Sequence, residues 1–351
     1  MKRIAIDAMG GDHGVKEVVL ACVLALKKYR NLYLVLVGDQ EQIESQLKLH
    51  KSSDHPRISI RHTSETVAMD ESPSKALRNK KDSSMRVAVN LVKDKTVGAC
   101  VSAGNTGALM ATSRFVLKMI PGIDRPAIVY PIPVFKQNNK VLPKPKTVYM
   151  LDLGANIDCN SQHLFQFAIM GSILAEAVSN ITSPRVALLN IGEEEIKGLD
   201  YIKQAAKLLS ECKDINYTGY IEGNKIYNYE ADVVVCDGFV GNIALKIAEG
   251  LVSTAATLIR GAFTKNWFTK LCAIFSLPVL KSMKRTFNPK KYNGATFLGL
   301  RGIVVKSHGS AKAEAFVSAI KAAMYEIEKD VPNLIQNKIT NLLENHQRDA
   351  S

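Results

Sequence analysis

The stretch VSAGNTGALMATSRFVLKM, residues 101–119, predicts a strand that turns through glycines into a helix. A short β-branched run ends at the first glycine, and apolar residues at helical spacing follow the second. Both glycines permit positive φ and a close approach of backbone to ligand, while the first helical turn offers N–H groups and the positive end of the helix dipole. We therefore expect an anion to bind at Gly104, Asn105, Thr106 and Gly107.

The composition indicates a globular chain with a large core. At 351 residues and 46% hydrophobic content, we expect residues 1–351 to form a single α/β unit or two interlocked lobes. The start, MKR followed at once by strand-like IAID, has no apolar signal-peptide core, which predicts a cytoplasmic protein. The six cysteines are scattered without a C-x-x-C pair, which favours reduced thiols and argues against structural zinc.

Positive charge is concentrated in one part of the chain. The formal net charge is +13, and residues 250–313 contain no Asp or Glu. That stretch carries eleven basic residues, which are Arg260, Lys265, Lys270, Lys281, Lys284, Arg285, Lys290, Lys291, Arg301, Lys306 and Lys312. Such a surface suits a negative partner, which can be nucleic acid, anionic lipid or an acidic protein.

Strands and helices alternate along the sequence. Strand-like runs at 4–7, 32–39, 57–62 and 97–104 are separated by helical segments, which predicts a mostly parallel sheet covered on both faces. Ligands of such sheets bind outside the carboxyl ends of the strands, where the glycine-rich turns of this chain fall. The first turn, DAMGGD, lacks the G-x-G-x-x-G spacing of a dinucleotide site. Its Asp7 and Asp12 fit turn and helix-cap chemistry as well as a functional role.

Three later corners repeat the pattern of a strand, a glycine turn and a helix. Their candidate residues are Asp152 and Asn156 in LDLGAN, Asp237, Asn242 and Lys246 around CDGFVGN, and Lys306, His308 and Ser310 in KSHGS. The last group is the most reactive-looking in the chain. Cys159 has no partner identifiable by spacing and is better explained as a buried filler than as a nucleophile. The three glutamates at 193–195 are expected in the first turn of a helix, where they complement its dipole.

Two basic features have both a structural and a functional interpretation. Arg125 precedes an apolar, proline-containing strand at 127–135, which indicates an edge or crossover position, and is either a surface charge or a phosphate ligand. Arg78, Lys80 and Lys81 follow a short helix that begins near Pro73. They form either a solvated connection or a basic landing site beside the mouth of the active site.

Residues 250–287 are predicted to form a helical hairpin with aromatic and basic side chains. Its apolar segment at 271–280 is too short to span a bilayer, which takes about twenty residues. A buried hairpin, a dimer interface and contact with an anionic membrane surface all remain open. Membrane contact would fall on Phe263, Trp267, Phe268 and Leu271.

Seven motifs, in this order and across nearly the whole chain, resemble those of the bacterial phosphate acyltransferase (PlsX) family. They are DAMGGD, SAGNTGA, GIDRPA, LDLGAN-x-D-C, NIGEEEIKG, DGF-x-GN-x-x-LK and LGL-x-G-x-x-x-K-x-HGSA. The resemblance implies a three-layer α/β/α sandwich like that of phosphotransacetylases and isocitrate dehydrogenases, with a protruding helical hairpin. It also implies a homodimer bound peripherally to the membrane. The chain departs from the family at NSQHL after Cys159, where a basic residue, proline and glutamate are usual, which argues against a functional role for that helix start.

The resemblance also implies a reaction, in which a long-chain acyl group passes from acyl carrier protein to inorganic phosphate. The acyl phosphate product serves phospholipid synthesis, and no cofactor, metal or nucleic acid is implied. Phosphate would lie at the Gly104 corner with Ser310, while Lys306 and His308 supply charge or a donor to the oxyanion or leaving sulfur. Residues completing or orienting this cleft would be Asn156, Asn242, Lys246, Arg125, Asp152 and Asp237.

Partners follow from the same resemblance. Arg78, Lys80 and Lys81 would dock the acidic carrier protein, and the hairpin would meet an anionic membrane that holds a downstream acyltransferase. Three alternatives stay open from the sequence. They are a short-chain phosphotransacylase that uses coenzyme A, a β-decarboxylating dehydrogenase and a non-catalytic basic module.

Overall fold

The computed structural model describes residues 2–137, 140–286 and 292–349, with only the backbone for 281–286 and 343–349. These residues form eleven strands and eleven α-helices. The strands are β1 (Lys2–Asp7), β2 (Leu32–Gly38), β3 (Ile58–His62), β4 (Ala99–Ser102), β5 (Ala127–Gln137), β6 (Lys140–Leu151), β7 (Arg185–Leu189), β8 (Asn216–Ile221), β9 (Val233–Val235), β10 (Ala295–Leu298) and β11 (Ile303–Lys306). The helices are α1 (Gly14–Lys28), α2 (Gln40–Leu49), α3 (Pro73–Asn79), α4 (Ser84–Lys93), α5 (Thr106–Leu117), α6 (Ser161–Ser179), α7 (Asp200–Glu211), α8 (Gly238–Thr264), α9 (Trp267–Thr286), α10 (Ala313–Lys329) and α11 (Val331–Asp349).

These strands join one sheet in the order β3-β2-β1-β4-β11-β10-β5-β6-β9-β7-β8. Pairing is parallel from β3 to β11 and again from β6 to β8. In the middle, β10 is antiparallel to β11 and to β5, and β5 is antiparallel to β6. The predicted mostly parallel α/β sheet is confirmed. The three antiparallel pairs reverse the direction of the sheet, so the strands from β6 to β8 run opposite to β1, β4 and β11.

Alternate strand residues pack against helices on opposite faces of the sheet. On one face, Ile4 and Ile6 of β1 pack with α1, α2 and α10, and Val233 and Val235 of β9 pack with α6, α7 and α11. On the other face, Ala5 packs with α4 and α5. Because parallel strands bury both faces, the strand sequences are almost wholly apolar. The result is the predicted three-layer α/β/α sandwich.

The prolines of β5 sit where the ladder on one side has ended. β5 lies inside the sheet, but only residues 127–129 pair with β10. Pro131 and Pro133 lie beyond that point, where β5 pairs with β6 alone. Since proline lacks an N–H, it is tolerated where one side of the strand is unpaired. The predicted edge position is therefore correct for Pro131 and Pro133, which have a partner strand on one side. It is wrong for β5 as a whole, which lies between β10 and β6.

The glutamates at 193–195 do not open a helix, contrary to the sequence prediction. α7 begins only at Asp200, and the residues before it form a loop closed by a hydrogen bond from the Asn190 side chain to the Lys197 carbonyl at 3.2 Å. Gly198 takes a φ of 89° there, which favours glycine. Lys225 pairs with Glu193 at 2.6 Å. Tertiary contacts thus override the local preference of acids for a helix start.

The helices α8 and α9 form a hairpin that protrudes from the sandwich. Among the described residues of α8, only Gly238 and Gly241 are buried, and Trp267 at the start of α9 is 77% exposed. The predicted bounds of 250–287 omit the first part of α8, and residue 287 lies outside the described residues. The side chains of Lys281, Lys284, Arg285, Lys290 and Lys291 also lie outside them.

One helix in the described part of the chain, α8, is long and apolar enough to cross a membrane by length and composition alone. None of the residues in the most apolar 18-residue segment of α8 is buried. Residues 271–280, the segment predicted to be too short for a span, lie in α9.

A carboxyl group is buried inside the sandwich. Glu326 on α10 is 4% exposed and accepts a hydrogen bond from the Thr296 hydroxyl of β10 at 2.5 Å. Burial raises the pKa of Glu326 from 4.5 to about 8. The group is therefore protonated in the folded protein at neutral pH.

We predict that Glu326→Gln flattens the pH dependence of stability between pH 4.5 and about pH 8. The unfolded chain releases this proton near pH 4.5, whereas the folded chain holds it until about pH 8, so the contribution of Glu326 to stability is lost as pH rises between those values. Between about pH 5.5 and pH 8, the variant should gain on the order of 3 kcal/mol in unfolding free energy relative to wild type, measured by urea titration. The control is Glu328→Gln, on an exposed residue paired with Lys2. Parallel pH profiles for wild type and Glu326→Gln would contradict the prediction.

Candidate active site

Three loops meet at the carboxyl ends of the adjacent strands β1, β4 and β11. A Cβ on Gly10 would lie 2.7 Å from both the Asp7 carboxylate and the Gly104 nitrogen. The N–H of Asp12 donates to the carbonyl of Gly309 at 2.9 Å. Because Gly10 has no side chain, the first loop can lie directly on the Gly104 corner.

The carboxyl of Asp7 lies beneath this corner. It is 1% exposed and accepts hydrogen bonds from the hydroxyls of Ser84 and Ser102, each at 2.6 Å. The Ser102 oxygen in turn accepts the Gly104 N–H at 3.0 Å. Burial raises the pKa of Asp7, and the two serine hydrogen bonds oppose that rise. The sequence left the role of Asp7 open, and the structure makes it a positioning group for the corner.

The unpaired hydrogen-bond donors of the corner lie in its backbone. Within the described residues, the N–H groups of Asn105, Thr106 and Gly107 have no hydrogen-bond partner, as expected for the start of a helix. The Asn105 side chain is already used. Its oxygen accepts from Ala108 N–H at 2.9 Å, and its nitrogen donates to the carbonyls of Met69 and Glu71 at 2.8 and 3.0 Å.

The ammonium of Lys306 lies beside the corner. Lys306 ends β11, is 8% exposed, and donates to the carbonyl of Ala103 at 3.1 Å and to that of Ser307. Burial lowers its pKa to about 8, Asp7 and Asp12 oppose this, and Lys246 adds to it. An ammonium has three N–H donors, and the third has no partner among the residues described. The corner therefore combines unpaired N–H groups with a desolvated cation.

His308 and Ser310 lie at the exposed rim of the same group. The Ser310 hydroxyl and N–H contact His308 Nδ1 at 2.9 and 3.2 Å. Since the N–H donates to Nδ1, the neutral ring carries its proton on Nε2. The His308 N–H donates to the Asn293 side chain at 2.9 Å, and Asn293 also donates to the Ser307 hydroxyl at 2.8 Å. The sequence did not point to Asn293, because it lies 14 residues before Ser307 and belongs to none of the recognised motifs.

A second group forms at the ends of β6 and β9. The fully buried Asp152 carboxyl accepts from the N–H groups of Ile128, Ala155 and Asn156 and from the Asn156 side chain, at 2.7 to 3.1 Å. The Asn156 amide also donates to the Pro126 carbonyl at 2.7 Å. Both side chains hold the loop, and burial raises the pKa of Asp152.

The start of α8 is packed tightly against this second group. Asp237 caps the helix by accepting from Val240 N–H, and it accepts from the Tyr201 hydroxyl, both at 2.9 Å. A Cβ on Gly241 would lie 1.9 Å from the Asp152 carbonyl oxygen. Asn242 is exposed and lies against Gly154. These contacts fix the position of the first turn of α8 against the Asp152 loop.

Two further candidates sit nearby. The half-buried Arg125 donates to the Asp158 carbonyl at 3.0 Å. Cys159 is buried, and burial raises the pKa of its thiol to about 12. A thiol that stays protonated is a poor nucleophile, which agrees with its interpretation as a filler.

The predicted residues form two groups joined through α8. Because the sheet reverses direction, the carboxyl ends of β6 and β9 point away from the carboxyl ends of β4 and β11. The strand directions alone would therefore place the two groups of residues at opposite ends of the sheet. Lys246 on α8 is close enough to lower the pKa of Lys306. It is exposed and pairs with Glu249 at 2.8 Å.

The helix that leads into the basic segment starts beside the corner. A Cβ on Gly107 would lie 2.9 Å from the Pro73 ring, so α3 starts against the start of α5. Arg78 and Lys81 are exposed, and the half-buried Lys80 lies 3.9 Å from Glu65. The basic segment therefore lies at the end of α3 that is away from the Gly107 contact.

Solved structures share this fold at low sequence identity. A phosphotransacetylase from Streptococcus pyogenes matches with a TM-score of 0.62 and 16% identity, covering 93% of this chain and 94% of that one. A branched-chain phosphotransacylase from Enterococcus faecalis V583 matches with a TM-score of 0.56 and 15% identity, covering 93% of this chain and 99% of that one. These similarities concern the fold alone.

Sequence comparisons identify the class and the family. A family model described as "Fatty acid synthesis protein" matches residues 2–334. Phosphate acyltransferases of Francisella tularensis, including subspecies tularensis strain WY96-3418 and subspecies novicida strain U112, are 56% identical over 348 residues, covering 97% of this chain and 99% of theirs. The chain is an acyltransferase with a phosphotransacetylase-like fold. It belongs to the phosphate acyltransferase (PlsX) family, which confirms the resemblance seen in its motifs.

Proposed function

We propose that this enzyme transfers a long-chain fatty acyl group from acyl carrier protein to inorganic phosphate, giving an acyl phosphate for phospholipid synthesis. One observation carries the proposal: the unpaired N–H groups of residues 105–107 lie beside the buried ammonium of Lys306. Donors of this kind suit a phosphate dianion. The names of the phosphate acyltransferase relatives support the same chemistry.

In the proposed reaction, a phosphate oxygen attacks the thioester carbonyl carbon directly. Phosphate lies at Gly104 and is held by the unpaired backbone N–H groups of residues 105–107 and by the Ser310 hydroxyl. The tetrahedral oxyanion collapses, the C–S bond breaks, and the carrier thiolate leaves and takes up a proton. Lys306 and the Nε2–H of His308 stabilise the oxyanion or the leaving sulfur. Because a substantial fraction of phosphate is already dianionic near neutral pH, a strong general base is dispensable.

The second group of residues completes the cleft in this proposal. Asn242 and Lys246 face the substrate from α8, and Arg125 adds a positive charge. Asp152, Asn156 and Asp237 act as positioning residues, since their polar atoms are engaged in holding the loop and the first turn of α8.

We predict that Lys306→Ala lowers kcat/KM by on the order of 100-fold. The assay is phosphate-dependent release of free thiol from palmitoyl carrier protein. Wild-type activity should fall as pH rises through about 8, because Lys306 then loses its proton. Lys306→Arg should move that fall to higher pH, since a guanidinium stays charged. Normal turnover in both Lys306→Ala and His308→Ala, with folding intact, would show the assignment to be wrong.

The carrier protein is proposed to dock on Arg78, Lys80 and Lys81. Acyl carrier protein is strongly acidic, and the basic segment lies at the end of α3, the helix whose first residue, Pro73, contacts the corner at Gly107. Charges at the rim of an interface act chiefly on the rate of association and its salt dependence.

Reversing the charge of Lys80 and Lys81 to Glu should raise the KM for acyl carrier protein roughly tenfold, with kcat little changed. The effect should shrink at high salt. The control reverses Lys48 and Lys51, an exposed pair at the end of α2 that carries the same charge change. An unchanged KM in the Lys80 and Lys81 variant would exclude docking at this segment.

The hairpin is proposed to bind an anionic membrane surface, where the product is used by a downstream membrane acyltransferase. Trp267, Phe268 and Leu271 are exposed, and Phe263 is half-buried. Lysines in the same stretch would face the headgroups. The enzyme would then be cytoplasmic, peripherally bound and homodimeric, as the family resemblance implies.

Wild-type protein should float with phosphatidylglycerol vesicles, whereas a variant with Trp267, Phe268 and Leu271 changed to Ser should not. The control changes Ile191, Ile196 and Leu199, three exposed apolar residues of the loop before α7, to Ser. Sedimentation of each variant reports the oligomeric state. If the hairpin variant becomes monomeric but still floats, the hairpin is a subunit interface and not a membrane contact.

A further inference from the structure

A cavity of about 750 Å³ opens at the end of the sheet opposite the candidate phosphate site. It lies at the amino ends of β4 and β11, where Gly98 and Ile303 line it. Each of these strands is four residues long, so the cavity lies roughly 10 Å from the ends that carry Ser102 and Lys306. Cavities of 300–1,000 Å³ are the usual size for small-molecule sites.

The floor of the cavity is aliphatic. Its apolar lining consists of Val92, Val97, Val116, Leu117, Ile120, Ile303 and Ile327. The side chains come from α4, α5, β11 and α10 and from the segments that join them to the sheet. The lining residues include no aromatic ring, so a nucleobase would find no stacking partner there, whereas an alkyl chain would find van der Waals contact.

The rim of the cavity is basic. Its charged residues are Arg3, Lys93, Lys95, Lys118 and Arg301, with Asp330 as the single acid. In the described part of the chain, none of the five cations forms an ion pair with a carboxylate. Arg301 donates only to a carbonyl, that of Met119, at 2.9 Å. The rim therefore carries uncompensated positive charge over an apolar floor.

Two of these lysines hold unusual backbone conformations. Lys95 has a φ of 55°, and Lys118 has a φ of 64° with a ψ of 170°. The second combination belongs to a region that glycine occupies almost alone. Each lysine follows a helix end that a glycine would cap with less strain, so both positions carry a cation at a conformational cost.

We propose that this cavity binds a single-chain anionic amphiphile, with its alkyl chain on the aliphatic floor and its phosphate or carboxylate headgroup against the basic rim. A headgroup of either kind meets the same cations. The binding site is independent of the proposed reaction, because none of its lining residues belongs to the two groups at the candidate active site.

Calorimetric titration with dodecyl phosphate below its micelle concentration tests the site in the full chain. Wild type and Lys306→Ala should both bind it, since the cavity does not contain Lys306. The double variant Lys93→Glu with Lys95→Glu should bind at least tenfold more weakly. The matched charge change at Lys48 and Lys51 should leave the affinity within twofold. Dodecanoate in place of dodecyl phosphate distinguishes a carboxylate source from a phosphate source, and binding of either supports the proposal.

Lys118→Gly provides a second variant, because glycine adopts this backbone conformation without a side-chain clash. It should weaken dodecyl phosphate binding several-fold while its Tm is no lower than that of wild type, even if the double variant does not fold. Equal binding of neutral dodecyl maltoside would overturn the proposal, because the basic rim would then play no part. Loss of all dodecyl phosphate binding in Lys306→Ala would also overturn it, since the only site would be the active site.

Discussion

Two serine hydroxyls donate to the buried carboxyl of Asp7, and the placement of the candidate phosphate site at residues 104–107 depends on this arrangement. Through it, the end of β1 is tied to the start of α4 and to the end of β4. The same serine that satisfies the carboxyl holds the Gly104 N–H. A buried carboxyl is costly without such partners, so the corner cannot shift without leaving a polar group unpaired. Lys306, close to this carboxyl, gains part of its charge stabilisation from it.

The reversal of the sheet at β10 and β5 sets a second constraint. It turns the strand ends that carry Asp152 and Asp237 away from those that carry Ser102 and Lys306. A cleft built from both groups therefore needs an element that connects them, and α8 supplies it. The missing side chain at Gly241 lets the helix start directly on the Asp152 carbonyl, and Lys246 on the same helix lies close enough to lower the pKa of Lys306.

Much of this architecture was predictable from local patterns. Alternation of strands and helices predicted the layered parallel sheet, and glycine turns predicted which corners carry polar side chains. The change of strand direction at β5 was not predictable. Whether two strands pair parallel or antiparallel depends on residues far apart in the sequence, and the residues of β5 themselves do not indicate it. The same holds for Ser84 and Asn293, whose roles come from contacts 77 and 14 residues away. The glutamates at 193–195 were misassigned because the contact between Asn190 and Lys197 outweighs helix propensity.

The seating of α8 has a mechanical consequence. This helix runs unbroken for 27 residues, about 40 Å at 1.5 Å per residue, from the Asp152 loop to the turn before α9. Its near end is fixed against the Asp152 loop, and none of its residues beyond Gly241 is buried. Lys246 lies five residues after Gly241, close to the fixed end of the helix. A molecule that binds the exposed end of the hairpin would therefore hold the same helix that carries Lys246.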